Sequence, residues 1–122
     1  MNKKVLIVED DHLIGYIMAR YITESTDYEV LGPLDNSDEA LQVALKELPV
    51  CVLMDIRIEG SMDGVEAAIA INKVHPIPII YTSGNSDVKT MNRANQTNIL
   101  GFLSKPVVRD ELVQLVRSIQ VT

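Results

Sequence analysis

The stretch Val50-Cys51-Val52-Leu53-Met54-Asp55-Ile56-Arg57 decides how this chain folds. Five apolar residues, Val50–Met54, run unbroken into an aspartate. The run is too short for a typical helix, and it lacks the alternation of a strand with one wet face. It reads as a strand buried on both faces, the pattern of a parallel sheet covered by helices. Asp55 then marks the carboxyl end of that strand.

Four further apolar runs lie on either side: Val5–Val8, Glu29–Leu34, Ile77–Tyr81 and Ile99–Leu103. Each is followed by a segment of helical period. Residues 13–24 place Leu13, Ile17 and Tyr21 at fourfold spacing, with Ile14, Met18 and Ile22 alongside. Residues 37–47 begin with Ser37-Asp38-Glu39, a cap followed by acidic residues at the positive helix end. Residues 64–74 carry Val65, Ala68 and Ile69 and are expected to stop at His75-Pro76. Residues 87–96 are polar and carry a weaker pattern. Residues 108–120 set Val108, Leu112, Leu115, Val116 and Ile119 on one stripe. Five βα units in succession predict an α/β fold with a parallel five-stranded sheet. The second strand contains Gly32-Pro33 and suits an edge, since proline cannot donate to a ladder.

The whole-chain properties are consistent with that class. The 122 residues are read as one domain, 1–122, with no attached output domain. Apolar residues make up 47% and charged residues 23%, so a packed core is expected and disorder is not. No apolar run approaches the ~20 residues that span a bilayer, and Val5–Val8 is too short for a signal peptide. A cytoplasmic location without membrane attachment is therefore expected. The net charge of −6 argues against a broad basic face for direct nucleic-acid binding. The lone Cys51 excludes an internal disulfide and reads as a small buried hydrophobe.

In open parallel sheets the functional crevice lies outside the carboxyl ends of the strands. Those ends here are Glu9-Asp10-Asp11, Asp55, Thr82-Ser83-Gly84 and Ser104-Lys105-Pro106. Taken singly, each is ordinarily a turn or a helix cap, and Asp11 is expected to cap the first helix. Together they bring carboxylates, hydroxyls and one ammonium to one edge. Converging carboxylates repel one another unless a cation sits between them or some are protonated. A hard divalent cation such as Mg2+ (or Mn2+) fits oxygen-only ligands, and softer metals lack cysteine or paired histidine here. His12 reads as a surface or capping residue. A lysine and a hydroxyl beside such a cation suit a phosphoryl group, and a carboxylate can accept one.

At this point the sequence resembles the response-regulator receiver (CheY-like) family over essentially its whole length. The likeness rests on Val5–Asp11, Val52–Ile56, Met62–Glu66, Pro78–Gly84 and Gly101–Pro106, in order. It implies a (βα)5 flavodoxin-like, doubly wound sheet of strand order 2-1-3-4-5. It implies Asp55 as phosphoacceptor, with Glu9, Asp10, Asp55 and the backbone carbonyl of Arg57 around the metal. Asp10 is then the direct ligand and Glu9 acts through water. It further implies Ser83 as the switch hydroxyl, Lys105 as the phosphate-pairing lysine with a cis bond to Pro106, and Phe102 as the aromatic switch. The implied protein is a two-component or phosphorelay switch, not an enzyme beyond its own phosphorylation and dephosphorylation. Its phosphodonor is a histidine kinase or histidine phosphotransfer protein. Its output passes through the face of the fourth helix, fifth strand and fifth helix to a target protein or output domain. A homodimer through the fourth and fifth helices is one arrangement the resemblance allows.

The chain departs from the family pattern in places. The loop from Asp55 to Asp63-Gly64 is one residue longer than the commonest form. Phe102, Ser83 and Gly84 stand where tyrosine, threonine and alanine are commoner, and Gly84 should leave the site more open. Two rival readings fit the same residues. One is a receiver used only as an interaction module. The other is an aspartyl-phosphate phosphohydrolase, which usually needs a second aspartate where Arg57 stands.

Overall fold

A computed structural model describes residues 3–85 and 87–119. Strands and helices alternate: β1 (Lys4–Val8), α1 (His12–Ser25), β2 (Glu29–Leu34), α2 (Ser37–Glu47), β3 (Cys51–Asp55), α3 (Gly64–Asn72), β4 (Ile79–Ser83), α4 (Val88–Ala94), β5 (Ile99–Ser104) and α5 (Arg109–Arg117). The strands form one sheet in the order β2-β1-β3-β4-β5, with every pair parallel.

The period of two along each strand divides the core between the two faces. Leu6, Val8, Val52, Met54, Ile79 and Tyr81 face α2, α3 and α4, where Ala40, Ala44, Val65, Ala68, Ile71 and Ala94 meet them. Val5, Ile7, Cys51, Leu53 and Ile80 face Met18 and Ile22 of α1 and Leu112 and Val116 of α5. Burial on both faces explains why Val5–Val8 of β1, Cys51–Met54 of β3 and Ile79–Tyr81 of β4 carry no charged residue. Each fully buried Val, Leu or Ile contributes about 1.5–3 kcal/mol relative to exposure. β2 is half-exposed and lies at the edge, with Gly32 at φ +89° before a cis bond to Pro33. Burial pushes the Cys51 thiol up to about 12, so it behaves as a hydrophobe.

Helix ends follow the local chemistry. Asp11, Asn36, Asp63 and Asp87 cap α1 to α4 with their side chains, whereas Val108 precedes α5 without a side-chain cap bond. Boundaries differ from the sequence expectation by two residues or more at four elements. α3 ends at Asn72, short of the expected 74, because the Asn72 amide turns the chain by donating to the carbonyls of His75 and Ile77. β4 runs two residues beyond the apolar stretch, through Thr82 to Ser83. α4 is only the seven residues Val88–Ala94. α5 ends at Arg117, with Ser118 as its C-cap, short of the expected 120. Among the described residues, no helix is long and apolar enough to cross a membrane.

Candidate functional site

The register delivers the chemistry. Val8 pairs with Met54, Asp55 with Thr82, and Ser83 with Ser104, so the carboxyl ends of β1, β3, β4 and β5 are level. Glu9, Asp10, Asp55 and Lys105 meet there. One carboxylate oxygen each from Glu9, Asp10 and Asp55 lies within 4.8 Å of the others. Lys105 Nζ lies 3.0 Å from Asp55 Oδ2 and 2.9 Å from Glu9 Oε1.

Glu9 is fully buried and Asp55 is 3% exposed, whereas Asp10 stands in solvent. Burial pushes the Glu9 carboxyl above its ordinary value and the Asp55 charge adds to this, against the pull of Lys105 and the Asp11 amide. Asp10 is raised too, by burial and then by Glu9. Burial alone draws the Lys105 ammonium down, but its contacts to Glu9 and Asp55 outweigh this and hold it above the ordinary lysine value. Three carboxylates against one ammonium leave the crevice short of positive charge.

The residues fit a hard divalent cation. All donors are oxygens. Glu9 Oε1 is buried, and Lys105 approaches it as an ion pair without the angle of a hydrogen bond, so a lone pair stays unused. A divalent cation in the crevice would supply the missing charge.

The remaining predicted residues are placed as follows. The Arg57 N–H donates to Asp55 Oδ1 at 3.2 Å, while the Arg57 side chain is exposed. Ser83 is 5% exposed, and its hydroxyl donates to the Asn85 carbonyl at 2.7 Å and accepts the Asn85 N–H at 3.1 Å. The Lys105 N–H donates to the Ser83 carbonyl, and the Lys105–Pro106 bond is cis, as expected. Phe102 is half-buried with its ring tilted against Tyr81 at 6.1 Å. A Cβ on Gly84 would meet nothing within 4 Å, which agrees with an open approach on that side.

Sequence reasoning passed over several residues that shape this site. Asp63 closes a capping box with Glu66 and also receives two hydrogen bonds from Arg93 of α4, at 2.8 and 3.0 Å. The box was readable from Asp63-Gly64-Val65-Glu66, but the arginine lies 30 residues on and carried no local signal. Tyr81, beneath Phe102, shares a 2.8 Å hydrogen bond with Thr97. Ser37 and Asp38 read as ordinary helix-start residues, yet both reach the loop after Asp55.

Comparison with known proteins agrees with this geometry. A family model for the response regulator receiver domain matches residues 5–117. The transcriptional regulatory protein PdtaR of Mycobacterium tuberculosis is 30% identical over 111 residues, 91% of this chain and 53% of that protein. The response regulator GacA of Pseudomonas syringae is 29% identical, over 93% of this chain and 53% of its own length. The chain thus spans about half the length of these curated relatives. Among solved structures, the signal receiver domain of a modulated diguanylate cyclase from Desulfovibrio desulfuricans G20 superposes with a TM-score of 0.86 at 38% identity, covering 95% of this chain and 91% of that one. The chain belongs to the response regulator receiver domain family of two-component signalling.

Proposed function

We propose that this domain is a phosphorylation switch with Asp55 as acceptor. The observation that carries the reading is Lys105 Nζ held between Glu9 and Asp55, with Asp10 beside them, at the level ends of three strands. Phosphoryl transfer needs mainly positioning and charge neutralisation, and this cluster offers both.

Glu9, Asp10, Asp55 and the Arg57 carbonyl are the residues that would hold Mg2+, which when bound neutralises phosphoryl oxygens and lets the carboxylates converge. A carboxylate oxygen of Asp55 attacks the phosphorus of a phosphohistidine on a kinase or phosphotransfer protein. The P–O bond forms, the P–N bond breaks, and the imidazole nitrogen leaves with the electron pair. Lys105 then exchanges its contact with Asp55 Oδ2 for the new phosphoryl oxygens. The Ser83 hydroxyl trades Asn85 for a phosphoryl oxygen. Phe102 follows by turning inward, and the α4–β5–α5 face changes its shape.

Incubation with Mg2+ and acetyl phosphate, followed by intact-mass measurement, tests the reading. The wild type is expected to gain one phosphoryl group and Asp55→Asn none. An unlabelled wild type, or a labelled Asp55→Asn, sinks it.

A further inference from the structure

The loop between β3 and α3 carries the Arg57 carbonyl, and a backbone ligand cannot be re-aimed by a rotamer. Its aim is only as good as the loop's. Ile56 and Ile58 anchor the first half of that loop in the core, at 7% and 9% exposure. The second half, Glu59–Met62, has only the partly buried Met62 against the core and is otherwise held by the first turn of α2. The Ser37 N–H donates to the Glu59 carbonyl at 2.8 Å, and Ser37 Oγ accepts the Met62 N–H at 3.1 Å. Asp38 accepts twice from Ser61, from Oγ at 2.5 Å and from the N–H at 3.1 Å. These contacts hold the Asp38 carboxyl below its ordinary value. Gly60, at φ +120°, lies so close that a Cβ there would come within 2.4 Å of Ser37 Oγ. Ser37 itself is fully buried.

We infer that Ser37 and Asp38 are positioning residues for the cation site: they fix the β3–α3 loop so that the Arg57 carbonyl is presented beside Asp55. The inference rests on the acceptor-site reading above. Neither side chain touches the cation. Both act through the backbone of residues 59–62, as outer partners of metal ligands commonly do. Such a clamp matters here because a loop stretch with few apolar anchors has more conformations to restrict.

Calorimetric titration of Mg2+ into the phosphate-free protein tests the clamp, alongside the labelling rate with acetyl phosphate as a function of Mg2+. Asp38→Ala, and more so Ser37→Ala/Asp38→Ala, should raise the Mg2+ Kd by about tenfold, the low end for outer-shell partners. The labelling rate at saturating Mg2+ should stay near that of the wild type. Asp38→Asn keeps an acceptor for Ser61 and should retain a near-wild-type Kd. An equal weakening in Asp38→Asn would assign the effect to charge at a distance and overturn the positioning role. An unchanged Kd with a lowered Tm would make the contacts merely structural and overturn it as well. Should the double variant fail to fold, Asp38→Ala, altered only at a solvent-exposed side chain, carries the same test. If the wild type itself binds no Mg2+, both readings fall. If the wild type binds and Asp38→Ala binds equally, only the clamp falls.

Discussion

Two loops flank Asp55, and they are built in opposite ways. The β3–α3 loop is tied at nearly every polar point. Ser37 and Asp38 hold its middle, Arg93 and Glu66 hold Asp63, and Gly64 lies against the end of β3. Among the described residues, the side-chain ties of the β4–α4 loop run within the loop itself or to the first turn of α4. Ser83 exchanges both of its hydrogen bonds with Asn85, and Gly84 and Asn85 face solvent. A loop that presents a fixed ligand benefits from over-determination. A loop whose hydroxyl must change partners benefits from contacts that are few and local. On the reading proposed above, the cation would belong to one side of Asp55 and the switch to the other.

Glycines give the sharpest way to break this comparison. At Gly64 a Cβ would lie 2.2 Å from the Asp55 carbonyl and 2.8 Å from Ile56 Cα, both backbone atoms that cannot move aside. Gly64→Ala should destabilise by about 3 kcal/mol, the upper range for overpacking, in urea unfolding. At Gly84 the same methyl meets open space, and Gly84→Ala should stay within about 0.5 kcal/mol of the wild type. Equal losses at the two sites would remove the contrast.

Asp63 comes next. Asp63→Ala loses the capping box and the Arg93 pair together, and should cost about 1–2 kcal/mol, mostly from the cap. Arg93→Ala should cost no more than about 1 kcal/mol, because both side chains are about one-third exposed and water screens the pair. A double-mutant cycle isolates the pair from the cap. A coupling near zero would mean that α4 is not fastened to the β3–α3 loop through this contact.

The smallest effects are titrations. Asp38 has a depressed value in the fold because Ser61 donates to it, so its stabilising contribution is present above the unfolded value of about 4. That contribution is lost as pH falls through the lower folded value. The acid limb of the stability–pH curve should therefore be shallower in Asp38→Ala. Cys51, with its thiol raised to about 12 by burial, should resist alkylation in the native protein at pH 8 and react once urea unfolds it. Rapid native labelling would show that β3 opens locally.

Much of the fold was legible because its signals are local. An apolar run such as Cys51–Met54 reports burial on both faces, Gly32-Pro33 reports an edge, and Asp11 and Asp63 announce the helices they cap. Strand-end chemistry was legible for the same reason, since each of Glu9, Asp55, Ser83 and Lys105 closes its own apolar run. The short α4 was faint, because a seven-residue polar helix has little periodicity to show. Asn72 ended α3 early through contacts to residues beyond the helix, which no stop signal in the sequence marked.

By itself, the sequence determined which residues could carry the chemistry and which strands had to be buried, since both follow from side-chain type and spacing along the chain. Tertiary structure alone decided who holds whom. Lys105 stands 50 residues from Asp55, Arg93 stands 30 from Asp63, and Ser61 stands 23 from Asp38. Hydrogen bonds and ion pairs act over a few ångströms of space. Once parallel strands return the chain repeatedly to one edge, the partners of each group are chosen by register and packing rather than by distance in sequence.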